Sequence, residues 1–378
     1  MKIAHVTDFY LPRLGGIEMQ VADLAARQQA QGHEVTIITS SPGDGVQDPL
    51  EGPRVLRVTE DFRRPRAIHP RAPFTGAYAL LDGGFDAVHV HVGVGSPLAF
   101  WAALCAVRAG LPTVITVHSL WAWVYPIFKT LDKVGGFSRR PIRWTAVSEA
   151  AAGPVRRIVQ PDSAVTVLPN GIDPEQWAVE RLPRPADEVL LVAVMRLAPR
   201  KRPLHLLRML RATRKRTPDG IRLRAVIVGD GPERPTLERY LRRHGMDDWV
   251  SMPGRQPREQ IRELYRSADV FVAPADLESF GIAALEARCA GVPVVAKAQS
   301  GIAEFVRHGV DGLLVASDAG MVDALVQLAG DHDLRREMAA SRQTAVSWDG
   351  TLALTEQAYR DAAVLVGSEL PEPVRASS

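Results

Sequence analysis

Two glutamates eight positions apart mark the segment of the sequence with the strongest chemical signal. Glu278 and Glu286 belong to the block 278–287, which reads ESFGIAALEA. A β-branched run at residues 270–273 precedes the block, and helical spacing follows from about Phe280, so the segment predicts a strand, a loop and a helix. The N-terminus of a helix offers backbone N–H groups and the positive end of the helix dipole, both of which suit a phosphate.

The residue types within this block favour a nucleotide ligand. Gly281 allows a ligand to approach the backbone closely. Glu286, in the first turns of the predicted helix, is placed to accept hydrogen bonds from ribose hydroxyls, as an acidic residue does in dinucleotide-binding folds. Glu278 lies in the loop, from which it can reach a sugar. The alternative is structural, with Glu278 capping the helix and Glu286 solvated.

Two cations follow the predicted strand at residues 189–194. Arg196 and Lys201 flank a turn there. Because open α/β sheets bind ligands at the carboxyl ends of their strands, these side chains are placed to neutralise a diphosphate and to stabilise it as a leaving group. An ordinary solvated basic turn is the alternative, since Arg200 and Arg202 lie in the same stretch.

Weaker signals lie in the first half of the chain. Gly15 and Gly16 follow the first predicted strand without the full G-x-G-x-x-G spacing, so they indicate either a simple turn or a loop that closes over a diphosphate. His118 ends a predicted strand, where it is placed for substrate contact.

Two further patterns raise the question of a metal. His89 and His91 lie two positions apart and therefore share one face of a strand, as zinc ligands can. No carboxylate triad or Cys–His set accompanies them in the sequence, so we expect no metal site. Asp331 and Asp333 form a D-x-D pattern, but they lie in a polar link between two helical runs, which we interpret as a solvated turn.

The elements that must position these residues alternate between strand and helix. Strands are predicted at residues 3–7, 34–39, 54–58, 86–91, 113–118, 144–148 and 165–168, and then at 189–194, 223–228, 250–253, 270–273, 292–296 and 312–315. Such alternation implies right-handed crossovers and parallel sheets. Turn-forming residues at 169–174 and 182–185 separate the two halves, whereas most of the Pro-, Gly- and Arg-rich segment 41–73 is predicted to be loop.

Composition narrows the class of protein. The chain has 378 residues, 46% of them hydrophobic and 24% charged, which suits two globular domains. A net charge of +3 does not indicate a nucleic-acid binder. Cys105 and Cys289 are far apart and fit a reducing cytoplasm, and no apolar stretch approaches the ~20 residues of a membrane helix.

With these residues assembled, the chain resembles the retaining glycosyltransferases of family 4 (group 1 type), which have the GT-B fold, over essentially its whole length. The matching segments are Gly15-Gly16, the strand ending at His118, AVSE at 146–149, PNGID at 169–173, Arg196 with Lys201, VGDGP at 228–232, SADVF at 267–271, the block 278–286 and AGVPVV at 290–295.

The resemblance implies an α/β architecture of two Rossmann-like, parallel-sheet domains that face a central cleft. Residues 1–175 would form the acceptor-side domain and residues 176–348 the nucleotide-sugar-binding domain. Residues 349–378 would contain a C-terminal helix that crosses back to the first domain.

The resemblance also implies a role for each site residue. Arg196 and Lys201 would hold the diphosphate, which Gly16, beside Gly15, would contact from the first domain. Glu278 would contact the donor sugar, Glu286 would hold the ribose, and His118 would sit by the reacting sugar. The remaining donor-binding positions would be Ser279, Phe280, Gly281 and Ile282.

The activity that the resemblance implies is transfer of a hexose-type sugar, with retention, from a UDP- or GDP-linked donor to a hydroxyl group of a small or lipid-linked acceptor. The departing phosphate would take the acceptor proton, so neither a side-chain nucleophile nor a metal or other cofactor is expected. Two alternatives are a nucleotide-sugar epimerase or hydrolase on the same fold, and an inactive nucleotide-sugar-binding protein.

Departures from the family pattern occur in two places. Many members have two glycines where this chain has SGIAE at 300–304, so a stiffer turn is expected, and the aromatic segment 119–125 corresponds to no specific acceptor.

Arginines crowd the first domain. Their positive charges would suit peripheral contact with anionic lipid on the inner face of a membrane, or contact with a phosphorylated acceptor. The simpler interpretation is that they form a solvated surface. The arginines are Arg54, Arg57, Arg63, Arg64, Arg66, Arg71, Arg139, Arg140 and Arg143.

Overall fold

The computed structural model describes residues 1–13, 15–43, 52–59, 70–122, 124–159, 164–341 and 346–371. The chain divides into two compact units. Unit 1 comprises Met1–Gly171 and Trp348–Ser378, and unit 2 comprises Ile172–Ser347. The C-terminal segment therefore returns to the unit in which the chain begins.

Unit 1 is a parallel sheet with helical crossovers. Its elements are β1 (Lys2–Thr7), α1 (Gly16–Ala30), β2 (Glu34–Thr39), β3 (Arg54–Arg57), α2 (Ala72–Asp82), β4 (Ala87–Val92), α3 (Pro97–Arg108), β5 (Thr113–Val117), α4 (Tyr125–Gly135), β6 (Arg143–Ala146), α5 (Glu149–Arg156), β7 (Thr166–Val167) and α13 (Trp348–Val366). The strand order is β3-β2-β1-β4-β5-β6-β7. Such a sheet is covered on both faces, which is why β1, β2, β4 and β5 are almost entirely buried.

The last helix, α13, completes the core of unit 1. Its residues Ala358, Tyr359 and Ala362 pack against Ile3, Ala87 and Val114 of three neighbouring strands. At the start of the helix, Trp348 packs with Leu24 and Leu352. The chain leaves unit 1 after Gly171 and returns at Trp348, and these two residues are in contact: a Cβ on Gly171 would lie 2.2 Å from the Trp348 ring.

Unit 2 repeats the same architecture. Its elements are α6 (Pro174–Trp177), β8 (Glu188–Val194), α7 (Pro203–Arg216), β9 (Arg222–Val228), α8 (Arg234–Arg243), β10 (Val250–Gly254), α9 (Arg258–Tyr265), β11 (Val270–Ala273), α10 (Ile282–Cys289), β12 (Val294–Lys297), β13 (Gly312–Val315), α11 (Asp318–Gly330) and α12 (His332–Ala340). The sheet is parallel, in the order β10-β9-β8-β11-β12-β13.

The predicted strands correspond to those of the structure, with ends that differ by no more than two residues. Two Rossmann-like parallel sheets are thereby confirmed. The helix predicted from Phe280 begins instead at Ile282, because Gly281 takes a left-handed conformation and ends the preceding loop. Parts of the segment 41–73, namely residues 44–51 and 60–69, lie outside the described residues.

Candidate active site

The central strands of unit 2 create the point at which a parallel sheet most often binds a ligand. β8 and β11 are neighbours, and the chain winds outward from them in opposite directions. Crossovers on either side therefore leave a crevice at the carboxyl ends of these two strands. Arg196 and Lys201 follow β8, and the block 278–287 follows β11, so the sheet brings the two strongest sequence signals to one edge.

Lys201 and Glu278 are directly paired there. The Lys201 ammonium group donates a hydrogen bond to a carboxylate oxygen of Glu278. The two side chains keep 26% and 15% of their exposure, so the pair remains accessible to a ligand. The alternative in which Glu278 caps a helix is wrong, since α10 begins at Ile282 with Gly281 as its N-cap and no side-chain capping bond.

Arg196 is exposed on the loop after β8, and this loop is held by the loop after β9. The Met195 and Leu197 N–H groups donate to carbonyl oxygens in the last residue of β9 and in the loop that follows it, both at 3.0 Å. Gly229 and Gly231 make the contact possible, because a Cβ at either position would lie 1.8 Å or 2.4 Å from a carbonyl oxygen of the first loop. The VGDGP segment thus fixes the backbone that carries Arg196.

Arg202 fixes the backbone next to Lys201. Its φ of +56° lies in the left-handed region, which is unfavourable for a residue with a side chain. Its guanidinium donates to both carboxylate oxygens of Asp318, at 2.9 and 2.8 Å, and to Asp276 at 3.1 Å. The buried Lys297 ammonium group also reaches Asp318, at 2.7 Å. This ion network, which the sequence analysis missed, stabilises the turn that presents Lys201.

The loop before α10 is built around two glycines. Gly281 has a φ of +91°, and a Cβ on it would lie 2.4 Å from the Ile302 side chain. A Cβ on Gly301 would lie 2.2 Å from the Ser279 carbonyl oxygen, and the Gly301 N–H donates to the Glu278 carbonyl at 2.9 Å. Ser300 has ordinary extended dihedral angles, so the departure from the family pattern at this position requires no strain.

The remaining residues of the block divide between the ligand edge and the core. Phe280 is buried and lies against Phe305, with ring centroids 5.5 Å apart, so only its backbone is available to a ligand. Glu286 is 8% exposed, which corrects the alternative of a solvated glutamate. Burial, followed by the nearby Glu286 charge, raises the pKa of Tyr265 well above its ordinary value.

In unit 1, Gly15 and Gly16 form the N-terminus of α1. Gly15 is the N-cap, and Glu18 in the first turn folds back over it, because a Cβ on Gly15 would lie 2.3 Å from the Glu18 carboxylate. Arg13 pairs with this carboxylate at 3.1 Å. A phosphate bound at this helix end would therefore meet Arg13 and Glu18 as well as the glycine backbone.

Asp8, just after β1, is a buried acid that the sequence analysis did not select. It accepts hydrogen bonds from the N–H groups of Leu98 and Ala99 at 3.1 and 3.0 Å, and so holds the N-terminus of α3. Burial raises the pKa of Asp8 to about 6, against the effect of these two hydrogen bonds.

His118 lies just beyond the end of β5 and lines a small pocket of unit 1 together with His89, His91, Thr116 and Asn170. Its Nε2 lies 3.0 Å from Nδ1 of His91. Burial lowers the pKa of His118 to about 4. His118 is therefore a neutral imidazole at neutral pH, able to exchange hydrogen bonds with a ligand but carrying no charge.

The histidines of β4 have a third neighbour that the sequence did not reveal. Parallel pairing of β1 with β4 sets His5 opposite His89, and ring nitrogens of His5, His89 and His91 lie within 4.8 Å of one another. Such spacing is compatible with a metal ion, and His5 is a neighbour that the sequence analysis did not select. These nitrogens are nevertheless hydrogen-bonded to neighbouring side chains, so the cluster is also complete as a network of neutral imidazoles.

Other selected residues have structural roles. Asp331 caps α12 by accepting from the Leu334 N–H at 2.9 Å, consistent with a polar link between helices. Trp121 of the aromatic segment is buried and stacks on Phe128 at 4.0 Å, which makes it a core residue. Trp123 lies outside the described residues.

The arginine-rich patches are only partly surface features. Arg57 donates to the Ser41 carbonyl at 2.9 Å, and Arg143 pairs with Asp361 of α13 at 2.9 Å, so both have structural contacts. Arg54, Arg71 and Arg139 are exposed. Arg63, Arg64 and Arg66 lie outside the described residues. Among the helices that the structure describes, none has the length and apolar character needed to span a membrane.

Comparison with known proteins agrees with this arrangement. The model of the glycosyl transferases group 1 matches residues 176–344, and that of glycosyltransferase family 4 matches residues 14–176. A D-inositol 3-phosphate glycosyltransferase of Nocardia farcinica is 30% identical over 376 residues, covering 89% of this chain and 82% of that protein. A GDP-mannose-dependent alpha-(1-6)-phosphatidylinositol monomannoside mannosyltransferase of Mycolicibacterium smegmatis is 29% identical over 346 residues, covering 86% of this chain and 87% of that protein.

Among solved structures, Anabaena HepE in complex with UDP and glucose has a TM-score of 0.69 and 18% sequence identity, covering 97% of each chain. At this identity the similarity establishes the fold, which is GT-B. Together, the matches to both halves of the chain and the relative at 30% identity show that the chain belongs to the group 1, family 4 glycosyltransferases.

Proposed function

We propose that this glycosyltransferase is a retaining, metal-independent hexosyltransferase that uses a UDP- or GDP-linked sugar and a hydroxyl acceptor. The observation that carries the proposal is the Lys201–Glu278 pair at the carboxyl ends of β8 and β11. A cation and a carboxylate at this position match the two parts of a nucleotide sugar that change during transfer, namely the diphosphate and the sugar ring.

Three features of unit 2 suit the diphosphate. Lys201 and the exposed Arg196 supply two positive charges on the loop after β8. The N-terminus of α10 adds backbone N–H groups and the positive end of its dipole. Because these groups together can neutralise the leaving diphosphate, the proposed reaction requires no metal ion.

The two glutamates would divide the rest of the donor between them. Glu278 lies at the ligand edge with its carboxylate held by Lys201, and we assign it to the sugar hydroxyls. Glu286 is fixed by burial within α10, and we assign it to the ribose. A carboxylate that is held in place by packing loses little entropy when it binds hydroxyl groups, which suits recognition of the unreactive part of the donor.

The proposed chemistry forms one bond and breaks one. The acceptor oxygen bonds to the anomeric carbon on the face from which the bond to the phosphate oxygen breaks, and the departing phosphate takes the acceptor proton. The products are the glycoside, with its anomeric configuration retained, and the nucleoside diphosphate. Lys201, Arg196 and the α10 N-terminus would stabilise the charge that develops on that phosphate.

The donor and acceptor classes rest on related proteins. The structural neighbour HepE was solved with UDP and glucose, whereas the Mycolicibacterium smegmatis relative is named for GDP-mannose. The names of two relatives contain D-inositol 3-phosphate and phosphatidylinositol monomannoside. We therefore propose a UDP- or GDP-hexose donor and a phosphorylated or lipid-linked polyol acceptor.

The test is a donor-consumption assay with and without acceptor, preceded by a thermal-shift panel of nucleotides and nucleotide sugars. A ligand that binds the folded state raises the melting temperature by mass action. Acceptor-dependent release of a nucleoside diphosphate, with a product of retained anomeric configuration by NMR, is the expected result. Turnover that is independent of acceptor would indicate the epimerase or hydrolase alternative, and an inverted product would exclude the proposed chemistry.

A further inference from the structure

Helix α2 carries large apolar side chains on its outer face. Phe74, Tyr78 and Leu81 follow one another at helical spacing and are 62%, 73% and 50% exposed. The helix, APFTGAYALLD, has no charged residue before its last position. A surface helix normally turns polar side chains outward, so the outer face of α2 has the composition of a surface that a partner covers. The inner, buried face consists mostly of small residues, namely Ala72, Gly76, Ala77 and Leu80.

This apolar surface continues onto the next two helices. Trp101 of α3 is exposed, and its ring centroid lies 5.5 Å from that of Phe74. α3 also has no charged residue before its last position. Ile127 of α4 is exposed, and α3 contacts α4 through Phe100 and Phe128, whose ring centroids are 5.8 Å apart. We call the exposed residues of the three helices the apolar face: Phe74, Tyr78, Leu81, Trp101 and Ile127.

The topology of unit 1 places the three helices side by side on one side of the sheet. α2, α3 and α4 follow β3, β4 and β5 and cross in the direction from β3 towards β7, whereas α1 crosses from β1 to β2 in the opposite direction. Because such crossovers are right-handed, α1 lies on the other side of the sheet, and so does α13, whose Trp348 packs against Leu24 of α1. The apolar face is therefore one layer of helices.

The exposed charges around the apolar face are mostly positive. Arg71 precedes α2, Arg108 ends α3, and Lys129 and Lys133 lie on α4, whereas Asp82 at the end of α2 is negative. These five are the exposed charged side chains that the structure describes on the three helices and at the position before α2. A second copy of the chain would bring the same positive charges together, which is unfavourable, whereas an anionic surface would attract them.

We propose that the apolar face docks unit 1 onto an anionic lipid bilayer. Tyrosine and tryptophan favour the boundary between water and acyl chains, because their rings are apolar and their N–H or O–H groups are polar. Phenylalanine and leucine enter the same region from amphipathic surfaces, and flanking cations attract anionic headgroups. Docking does not rest on the proposed function, but it would bring the protein to the surface on which a lipid-linked acceptor lies.

Co-sedimentation with lipid vesicles measures the docking directly. We expect the full-length protein to bind vesicles of phosphatidylcholine with phosphatidylglycerol at least about tenfold more tightly than vesicles of phosphatidylcholine alone. Salt should weaken this binding, because it screens the exposed charges. Failure of the wild-type protein to bind the anionic vesicles would overturn the proposal.

Substitutions in the apolar face test which side chains carry the contact. Phe74→Ser and Tyr78→Ser should each weaken binding to the anionic vesicles by about fivefold to tenfold, through loss of inserted apolar area. Both side chains are exposed, so the melting temperature should change little. Val364→Ser is the matched control, because Val364 is 79% exposed on α13, on the other side of the sheet, and binding should be unchanged.

Trp101 provides a second measurement that does not depend on a loss of binding. Vesicles with brominated acyl chains should quench part of the tryptophan fluorescence of the wild-type protein. Trp101→Phe should remove most of this quenching while binding stays within about twofold of wild type, because phenylalanine also enters the interface. Quenching that Trp101→Phe leaves unchanged would show that another surface meets the lipid, and would overturn the proposal.

Two further outcomes would overturn docking through the apolar face. One is equal vesicle binding by Phe74→Ser, Tyr78→Ser and Val364→Ser. The other is a dimer of the wild-type protein that Tyr78→Ser dissociates, since a second copy would then cover the apolar face. Sugar transfer by a protein that does not bind vesicles would overturn the docking alone, whereas vesicle binding without any sugar transfer would overturn the proposed function alone.

Discussion

The Lys201 ammonium group donates a hydrogen bond to the Glu278 carboxylate, although the two residues are 77 positions apart in the chain. Neighbouring parallel strands deliver them to the same edge of the unit 2 sheet. Pairing orients the Glu278 carboxylate and leaves other donor hydrogens of Lys201 for a ligand.

Removing a cation from this edge should abolish most activity without unfolding the protein. We expect Lys201→Ala and Arg196→Ala each to lower kcat/KM by about 10²- to 10³-fold, as for loss of charge stabilisation on a leaving group. Arg200→Ala, on the same exposed turn, is the control and should remain close to wild type, with all three variants keeping the wild-type melting temperature. Near-normal turnover of both Lys201→Ala and Arg196→Ala would contradict the assignment of these two side chains to the diphosphate.

Activity should survive chelation. Excess EDTA is expected to leave the initial rate unchanged, because side chains and a helix N-terminus meet the charge of the leaving diphosphate. Rates are compared before and after treatment, with metal content measured in parallel. Loss of activity that zinc or manganese restores would contradict this expectation and direct attention to His5, His89 and His91.

Substitution of the two glutamates of the block 278–287 should change different kinetic constants. Glu286→Gln removes a contact to an unreactive part of the donor, so it should mainly raise the donor KM. Glu278→Gln acts on the sugar, whose charge and shape change as the bond breaks, so it should mainly lower kcat. Donor titrations at saturating acceptor distinguish the two effects. If both variants keep the wild-type kcat and donor KM, the two glutamates do not have these roles, and the family resemblance describes only the fold.

The network beneath Lys201 should matter for stability. Asp318→Asn leaves Arg202 and the buried Lys297 without their shared carboxylate, and we expect a loss of about 1–3 kcal/mol in the free energy of unfolding. The partly exposed position of Asp318 keeps the effect below that of a fully buried pair. Asp323→Asn removes a surface ion pair with Arg216 and is the control, with an expected change within about 0.5 kcal/mol. Equal denaturation midpoints for the two variants would contradict this role.

Acid should destabilise unit 1 well above the pH at which carboxylates usually protonate. Burial lowers the pKa of His5 and His118 to about 4, and lowers the pKa of His89 and His91 well below 6.5. In the unfolded chain these groups take up protons near pH 6.5, so between the two values the unfolded state binds more protons. The free energy of unfolding therefore falls as pH is lowered, by about 1.4 kcal/mol per pH unit for each histidine that stays neutral.

Asp8 acts in the opposite direction but with one proton only. Its folded pKa of about 6 exceeds the ordinary value of 3.8, so its contribution to stability increases as pH falls through 6. Urea denaturation at pH 7 and pH 5 measures the sum. We expect the free energy of unfolding of the wild type to be clearly lower at pH 5 than at pH 7, and this difference to be smaller in His5→Gln. The control His332→Gln, whose side chain is exposed, should show the same difference as the wild type. A flat profile for the wild type would contradict the neutrality of the buried histidines.

The sequence by itself determined the elements and the type of chemistry. Period, turn residues and breakers are local, so the strand positions and the restart of the pattern after PNGIDP could be recognised without coordinates. Arg196, Lys201 and Glu278 stood out for the same reason, since they follow predicted strand ends, where parallel sheets bind ligands, and Glu286 stood out from its place in the first turns of the next predicted helix.

Only the tertiary structure decided which side chains meet. His5 and His89 are opposite because β1 lies between β2 and β4 in the sheet, so that it pairs with β4 and not with β3. Tyr359 reaches His89 because the last helix returns to unit 1. Nothing local to these residues encodes those neighbours. The pairing of Lys201 with Glu278 and the network around Arg202 arise in the same way, because strand order and side-chain packing are properties of the whole sheet, whereas propensity and periodicity extend over only a few turns of chain.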